Sequence, residues 1–248
     1  MSQVKFDFSG ENYVVTGASS GMGKQITVEL AEAGARVLAI ARGETALKEL
    51  QALYPNNIFI AAVDVCDYEK LASSIADFVK ECGKLNGAVH AAGIVSLTAL
   101  KLYDETAAQR IFETSFWAGI KLIQICTKSR YSLKNSSYVL FSSAGSHNAA
   151  KGMFAYASAK AATRVAVRSL AKELCNRGIR INTISPGWVK SNMTDKLDET
   201  NNTEAILKKH LLGIGQVEDV SGSVLFLLSD RTKWITGTDV IIDGGYLA

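Results

Sequence analysis

The chain has 248 residues, 48% of them apolar, with 27 Lys and Arg against 24 Asp and Glu for a net charge of +3. That length and apolar content suit one sizeable α/β domain. The charge is thinly spread, Lys208-Lys209 being the only adjacent basic pair, which argues against a nucleic-acid-binding arm.

Four cysteines (Cys66, Cys82, Cys126, Cys175) and three histidines (His90, His147, His210) are scattered along the chain. They show neither CxxC nor HExxH spacing, so no zinc site or disulfide framework is expected. The first ten residues carry Asp7 and no apolar run, so no secretory leader is expected. No segment approaches the about 18 consecutive apolar residues of a membrane span. The expectation is a cytoplasmic protein in a reducing compartment, with no metal and no membrane.

Short β-branched runs alternate with longer helical patterns. The predicted strands are Tyr13–Thr16, Val37–Ile40, Ile58–Val63, Ala88–His90, Tyr138–Phe141, Ile179–Ile184 and Val240–Ile242. The predicted helices are Lys24–Ala33, Tyr68–Cys82, Glu105–Ser129, Tyr156–Asn176 and Val217–Leu228, with apolar residues at three- and four-residue steps such as Ile26/Leu30 and Leu71/Ile75. This alternation predicts βαβ crossovers and a mainly parallel sheet covered on both faces. Ligands of such sheets bind beyond the carboxyl ends of the strands.

The unusual residues lie just there. After the first strand comes Thr16-Gly17-Ala18-Ser19-Ser20-Gly21-Met22-Gly23. Glycines at a strand-to-helix turn let backbone approach a pyrophosphate, whose charge meets the free N–H groups of the helix start. The spacing is not GxGxxG, and a glycine-rich turn alone can be an ordinary tight turn. The second strand ends Ala41-Arg42, with Glu44 nearby. A carboxylate at this distance would bind the ribose 2′-OH of NAD, whereas an arginine suits a 2′-phosphate. NADP(H) is therefore expected, with NAD(H) as the alternative.

Tyr156 and Lys160 are four residues apart at the start of a predicted helix, so they share a face. A lysine ammonium near a tyrosine favours the phenolate and draws the phenol toward working pH. Ser142 and Ser143 close the fifth strand, where a hydroxyl can orient a carbonyl oxygen or simply cap a turn.

Together, Thr16–Gly23, Ser143, Tyr156-Ala-Ser-Ala-Lys160, Pro186-Gly187 and Asp243-Gly244-Gly245 resemble the classical short-chain dehydrogenase/reductase family, in the family's order and over nearly the whole chain. The resemblance implies a single-domain Rossmann-like doubly wound sheet of about seven parallel strands, flanked by helices. It implies hydride transfer between a nicotinamide and a carbonyl or alcohol. Tyr156 would be the proton donor or acceptor, and Lys160 would hold the nicotinamide ribose. Ser143 would bond the substrate oxygen, with Ser142 as second choice. Gly17, Ser19, Ser20, Gly21, Met22 and Gly23 would cradle the dinucleotide. Asp64 and Val65 would meet the adenine, and Ala91, Ala92 and Gly93 would line the cofactor's path. Pro186, Gly187, Val189 and Ser191 would surround the nicotinamide amide.

Two positions depart from the family pattern. His90-Ala91-Ala92-Gly93 stands where Asn-Asn-Ala-Gly is usual, and His90 reads as a core or strand-end histidine. Ser115 stands where a catalytic asparagine usually supports a water-linked proton route to the lysine. A serine is shorter and needs a water or a shifted backbone to reach as far.

The stretch 188–215 corresponds to the family's substrate loop, with Trp188, Met193 and Leu197 as apolar candidates for its pocket. A 3-oxoacyl or small-ketone substrate is expected. Sugar or steroid alcohols, or a dinucleotide sensor without turnover, are the alternatives. A homotetramer or homodimer built through the Tyr156 helix and the last strand is also implied.

Overall fold

The computed structural model describes residues 4–191, 194 and 208–248. Seven parallel strands are present: β1 (Asn12–Thr16), β2 (Arg36–Ala41), β3 (Ile58–Ala62), β4 (Leu85–His90), β5 (Ser132–Phe141), β6 (Arg180–Pro186) and β7 (Asp239–Ile242). They form one sheet in the order β3-β2-β1-β4-β5-β6-β7, every neighbouring pair parallel. The helices are α1 (Gly21–Glu32), α2 (Glu44–Leu53), α3 (Tyr68–Cys82), α4 (Glu105–Phe112), α5 (Ala118–Cys126), α6 (Phe154–Leu174) and α7 (Val217–Leu228). Among the described residues no helix is long and apolar enough to cross a membrane, and no group of His, Cys, Asp and Glu could hold a metal ion.

The apolar strands are explained by burial on both faces. Successive residues of β1 enter different cores. Val15 packs with Val37, Ile26, Leu30 and Val224 on the α1/α7 side, while Val14 packs with Leu38, Leu71, Ile75 and Leu122 on the α3/α5 side. All seven predicted strands form. Helix α2 was not anticipated: only Leu47 and Leu50 of its ten residues are buried, a stripe too short to stand out as a period.

The long helical pattern Glu105–Ser129 is interrupted by a five-residue π-helical turn, Glu113–Trp117. Ser115 lies at its centre.

Strand order reverses at β1. Its two neighbours, β2 and β4, are followed by helices on different sides, so a crevice opens beyond the C-terminal ends of β1 and β4. Thr16 and His90 are register partners at the floor of that crevice.

Candidate active site

The turn after β1 is built by close backbone approach. Gly17 has φ +71°, and a Cβ there would lie 2.7 Å from Ala92 N, so a side chain is excluded twice over. A Cβ on Gly23 would meet Gly17 O at 2.3 Å, which seats the first turn of α1 on the loop. Ser20, at the N-cap, makes no side-chain capping bond, and the first turn of α1 carries no acid. The unsatisfied amides and the positive end of the helix dipole therefore suit an anion, and the loop fits a pyrophosphate.

A cleft of about 560 Å³ runs from this turn across the ends of β1, β2, β3 and β4. Gly17, Ser19, Ser20, Gly21, Met22 and Gly23 line one wall. Ala91, Ala92 and Gly93 line the β4 end, and Asp64 and Val65 the β3 end. Asp64 Oδ1 accepts a hydrogen bond from Cys66 N at 2.9 Å, and Val65 is buried.

Arg42 lines the same cleft, is exposed, and makes no ion pair among the described residues. Glu44 is engaged elsewhere: it pairs with Lys48 at 2.7 Å on the outer face of α2. No carboxylate from Ala41 to Glu44 is thus presented to a ribose, while a guanidinium is.

A second pocket of about 120 Å³ shares Met22, Ala91, Gly93 and Ser191 with the first. Ser143, Tyr156, Lys160, Pro186, Gly187 and Val189 all border it. Ser143 Oγ accepts from Gly145 N at 3.1 Å and so starts a short 3-10 turn. Ser142 is held differently, donating to Lys160 O at 3.0 Å, so its hydroxyl ties β5 to α6.

Lys160 Nζ donates to Phe141 O at 2.9 Å and stands 5.8 Å from the Tyr156 ring centroid. Burial draws the Lys160 ammonium down to about 8. Burial also raises the Tyr156 phenol, with the Ser143 hydroxyl pulling the other way. The downward shift expected from Lys160 is absent: burial of the phenol dominates, and only the Ser143 hydroxyl opposes it. Beyond β6, a Cβ on Gly187 would lie 2.7 Å from Asp243 Cα, so Pro186-Gly187 is pressed against the C-terminal segment. Thr194 Oγ1 donates to Val189 O and Ser191 O at 2.9 and 2.8 Å, fixing the chain beside the pocket.

Ser115 is the one predicted catalytic residue that borders neither pocket. It is fully buried behind Gly93, and its Oγ has no protein hydrogen-bond partner. A Cβ on Gly93 would lie 3.3 Å from Ser115 Oγ and 3.4 Å from Lys160 Nζ, so the two groups converge there. Of the predicted substrate contacts, Trp188 borders this second pocket; Met193 and Leu197 lie outside the described residues. Val95 and Met153 also line it. Sequence reasoning missed both, since neither belongs to a periodic or motif-bearing segment.

A doubly wound sheet with an anion-ready turn and a Tyr–Lys pair beyond its strand ends defines a nucleotide-dependent oxidoreductase. The chain matches the family described as Enoyl-(Acyl carrier protein) reductase over residues 17–247. It is 32% identical over 243 residues to the 3-oxoacyl-[acyl-carrier-protein] reductase FabG of Rickettsia conorii, covering 97% of this chain and 98% of that protein. It is 30% identical to the protein of the same name from Staphylococcus aureus strain N315, with 94% and 96% coverage. A short-chain type dehydrogenase/reductase from Mycobacterium marinum superposes with a TM-score of 0.90 at 29% identity, covering 97% of each chain. A short-chain dehydrogenase/reductase from Brucella melitensis shares the fold, with a TM-score of 0.92 at 23% identity and coverage of 98% of this chain and 99% of that one. The chain belongs to the classical short-chain dehydrogenase/reductase family. It is an oxidoreductase acting on a C=O/CH–OH pair with a nicotinamide dinucleotide.

Proposed function

We propose that the chain is an NADPH-dependent reductase of a 3-oxoacyl thioester or a related small ketone. The observation that carries this reading is the meeting of Ser143, Tyr156 and Lys160 on one pocket continuous with a cleft that presents Arg42. Similarity to 3-oxoacyl reductases over almost the full length supports the substrate class.

When bound, the dihydronicotinamide supplies the hydride. The chain's own residues do the rest. Ser143 donates to the substrate oxygen and orients the carbonyl. Tyr156, kept protonated by burial, delivers its proton to that oxygen as the carbonyl carbon is reduced. Lys160 stabilises the phenolate that remains and returns a proton to it. Ser115, through a water, links Lys160 to the proton supply. Gly17, Ser19, Ser20, Gly21, Met22 and Gly23 hold the pyrophosphate, and Arg42 the 2′-phosphate. Asp64 and Val65 flank the adenine, with Ala91, Ala92 and Gly93 beneath the dinucleotide. Pro186, Gly187, Val189 and Ser191 hold the nicotinamide amide.

The chain forms one domain over 1–248, with a substrate loop at about 188–215. A homotetramer or homodimer is part of this reading, on the strength of the family resemblance. Four free thiols suit the cytoplasm.

The test follows NADPH and NADH oxidation over a panel of acetoacetyl thioesters, simple ketones, keto-sugars and oxo-steroids, with Tyr156→Phe as control. The thioesters or small ketones should be turned over best. The Phe variant should lose about 10²–10⁴-fold in turnover while still binding cofactor. Preference for a sugar or steroid would overturn the substrate class. Cofactor binding without turnover of any member would leave a dinucleotide sensor.

A further inference from the structure

His90 occupies a position where the family's usual asparagine is missing, and its surroundings are specific. The ring is fully buried. Its Nε2 lies 3.1 Å from Thr114 O, an atom that can only accept, so Nε2 carries the proton and donates. Nδ1 is then the acceptor and takes the Thr16 hydroxyl at 2.8 Å. One neutral imidazole thus joins the last residue of β1 to the turn between α4 and α5.

The Thr114 carbonyl is available for a definite reason. In an α-helix it would accept from Ala118 N, four residues on. Here Ala118 N reaches back to Glu113 O, five residues away, which is the widening that makes the turn π-helical. The released carbonyl is captured by His90. The next carbonyl, of Ser115, is approached at 3.4 Å by Thr163 Oγ1 from α6, the helix that bears Lys160. Small residues make room for the ring: a Cβ on Gly119 would lie 2.9 Å from His90 Cδ2. Burial and the nearby Lys160 ammonium keep the imidazole neutral, its pKa drawn down to about 3.

We propose that His90 is a positioning residue for proton transfer: by holding the carbonyl released at Thr114, it fixes the π-turn so that the Ser115 hydroxyl faces Lys160. Gly119 is its packing complement. The inference rests on the reading of Lys160 and Ser115 as the proton path.

Two substitutions separate this role from simple support of the sheet. Glutamine carries its amide at about the reach of Nε2, so His90→Gln keeps a donor for Thr114. Asparagine carries its amide at about the reach of Nδ1, so His90→Asn keeps the Thr16 contact and loses the turn. Gly119→Ala, which pushes the ring without removing it, is the third variant. The readouts are amide hydrogen exchange over residues 113–119, kcat and NADPH Kd, all well below each variant's Tm.

His90→Asn and Gly119→Ala should speed exchange in the turn and lower kcat by about three- to ten-fold, the worth of one net hydrogen bond. Their NADPH affinity should change little, and His90→Gln should resemble the parent. An Asn variant with parental exchange and kcat would overturn the proposal. So would a set in which only Tm falls, since that is sheet support. If the parent reduces no carbonyl, the proposed function fails, while exchange in the turn still tests whether His90 holds it. If Asn does not fold, Gly119→Ala decides, and parental exchange and kcat in that variant count against the proposal.

Discussion

The Ser115 hydroxyl and the Lys160 ammonium converge above Gly93, where an added Cβ would lie 3.3 Å from one and 3.4 Å from the other. Ser115 Oγ has no protein partner, whereas Lys160 Nζ already donates to Phe141 O. A water between them would give the serine its missing bond and the lysine a route for its proton. Replacing Ser115 by Ala removes one hydrogen-bonding group from that route. Turnover should fall by about two- to ten-fold, in line with a net hydrogen bond of about 0.5–1.5 kcal/mol. Ser115→Asn should match or exceed the parent if the longer side chain fits behind Gly93. Turnover of the three proteins across pH, at saturating cofactor, checks this; an unchanged Ala profile would make Ser115 a packing residue only.

The Lys160 ammonium, drawn down to about 8 by burial, sets a limb in the pH profile. If the protonated form returns the proton to Tyr156, carbonyl reduction should fall as pH rises through about 8. The stability effect has the opposite trend. Between about 8 and the ordinary 10.5, the unfolded chain holds a proton that the native chain has released, so stability rises with pH. Measured against Lys160→Met, the penalty of burying the ammonium should be full below pH 8 and gone above 10.5. Urea titrations of both proteins at several pH values test the sign.

Much of this was legible in the sequence because parallel strands buried on both faces leave unbroken apolar runs, such as Val37-Leu38-Ala39-Ile40. The glycine turn, Arg42 and Ser142-Ser143 stood out because each lies just past such a run, and the Tyr156–Lys160 pair because its four-residue spacing puts both on one helix face. The π-turn was not legible. Glu105–Ser129 keeps helical spacing throughout, and the widening depends on where one carbonyl finds its donor, a tertiary fact. His90 read as a core histidine, and it is buried. Its bond to Thr114 joins residues 24 positions apart, which no local pattern encodes. The resemblance put Ser143 ahead of Ser142, which residue type alone could not; in the structure Ser142 is tied to Lys160 O, whereas the Ser143 hydroxyl reaches Tyr156.

Arg42 should decide cofactor choice. It is exposed at the cleft and makes no ion pair among the described residues, while Glu44 is held by Lys48. A charge-assisted hydrogen bond is worth about 1.5–3 kcal/mol, or about ten- to a hundred-fold in affinity. Arg42→Ala should weaken NADPH by about that factor and leave NADH nearly unchanged. Ala41→Asp in the same chain should repel the 2′-phosphate and bring the preference toward NADH. Fluorescence titration with both cofactors is the measurement; tighter parental binding of NADH would refute the assignment.

The buried imidazole of His90 should make the fold sensitive to acid. In the unfolded chain it titrates near its ordinary 6.5, whereas burial and Lys160 draw the native value down to about 3. Between those values the unfolded state holds the extra proton. Stability from this group is therefore complete above pH 6.5 and is lost progressively as pH falls toward 3. One proton corresponds to a slope of about 1.4 kcal/mol per pH unit within that window. Protonation would also turn Nδ1 from an acceptor into a donor, leaving the Thr16 hydroxyl to rotate or lose its bond. Other groups titrate over the same range, so the difference between parent and His90→Gln isolates the effect. Glutamine cannot take up the proton. The variant should lose less stability than the parent between pH 6.5 and the lowest pH at which both still fold. The check is a set of urea-unfolding curves at half-unit steps; parallel curves for the two proteins would mean that the His90 proton is not linked to folding.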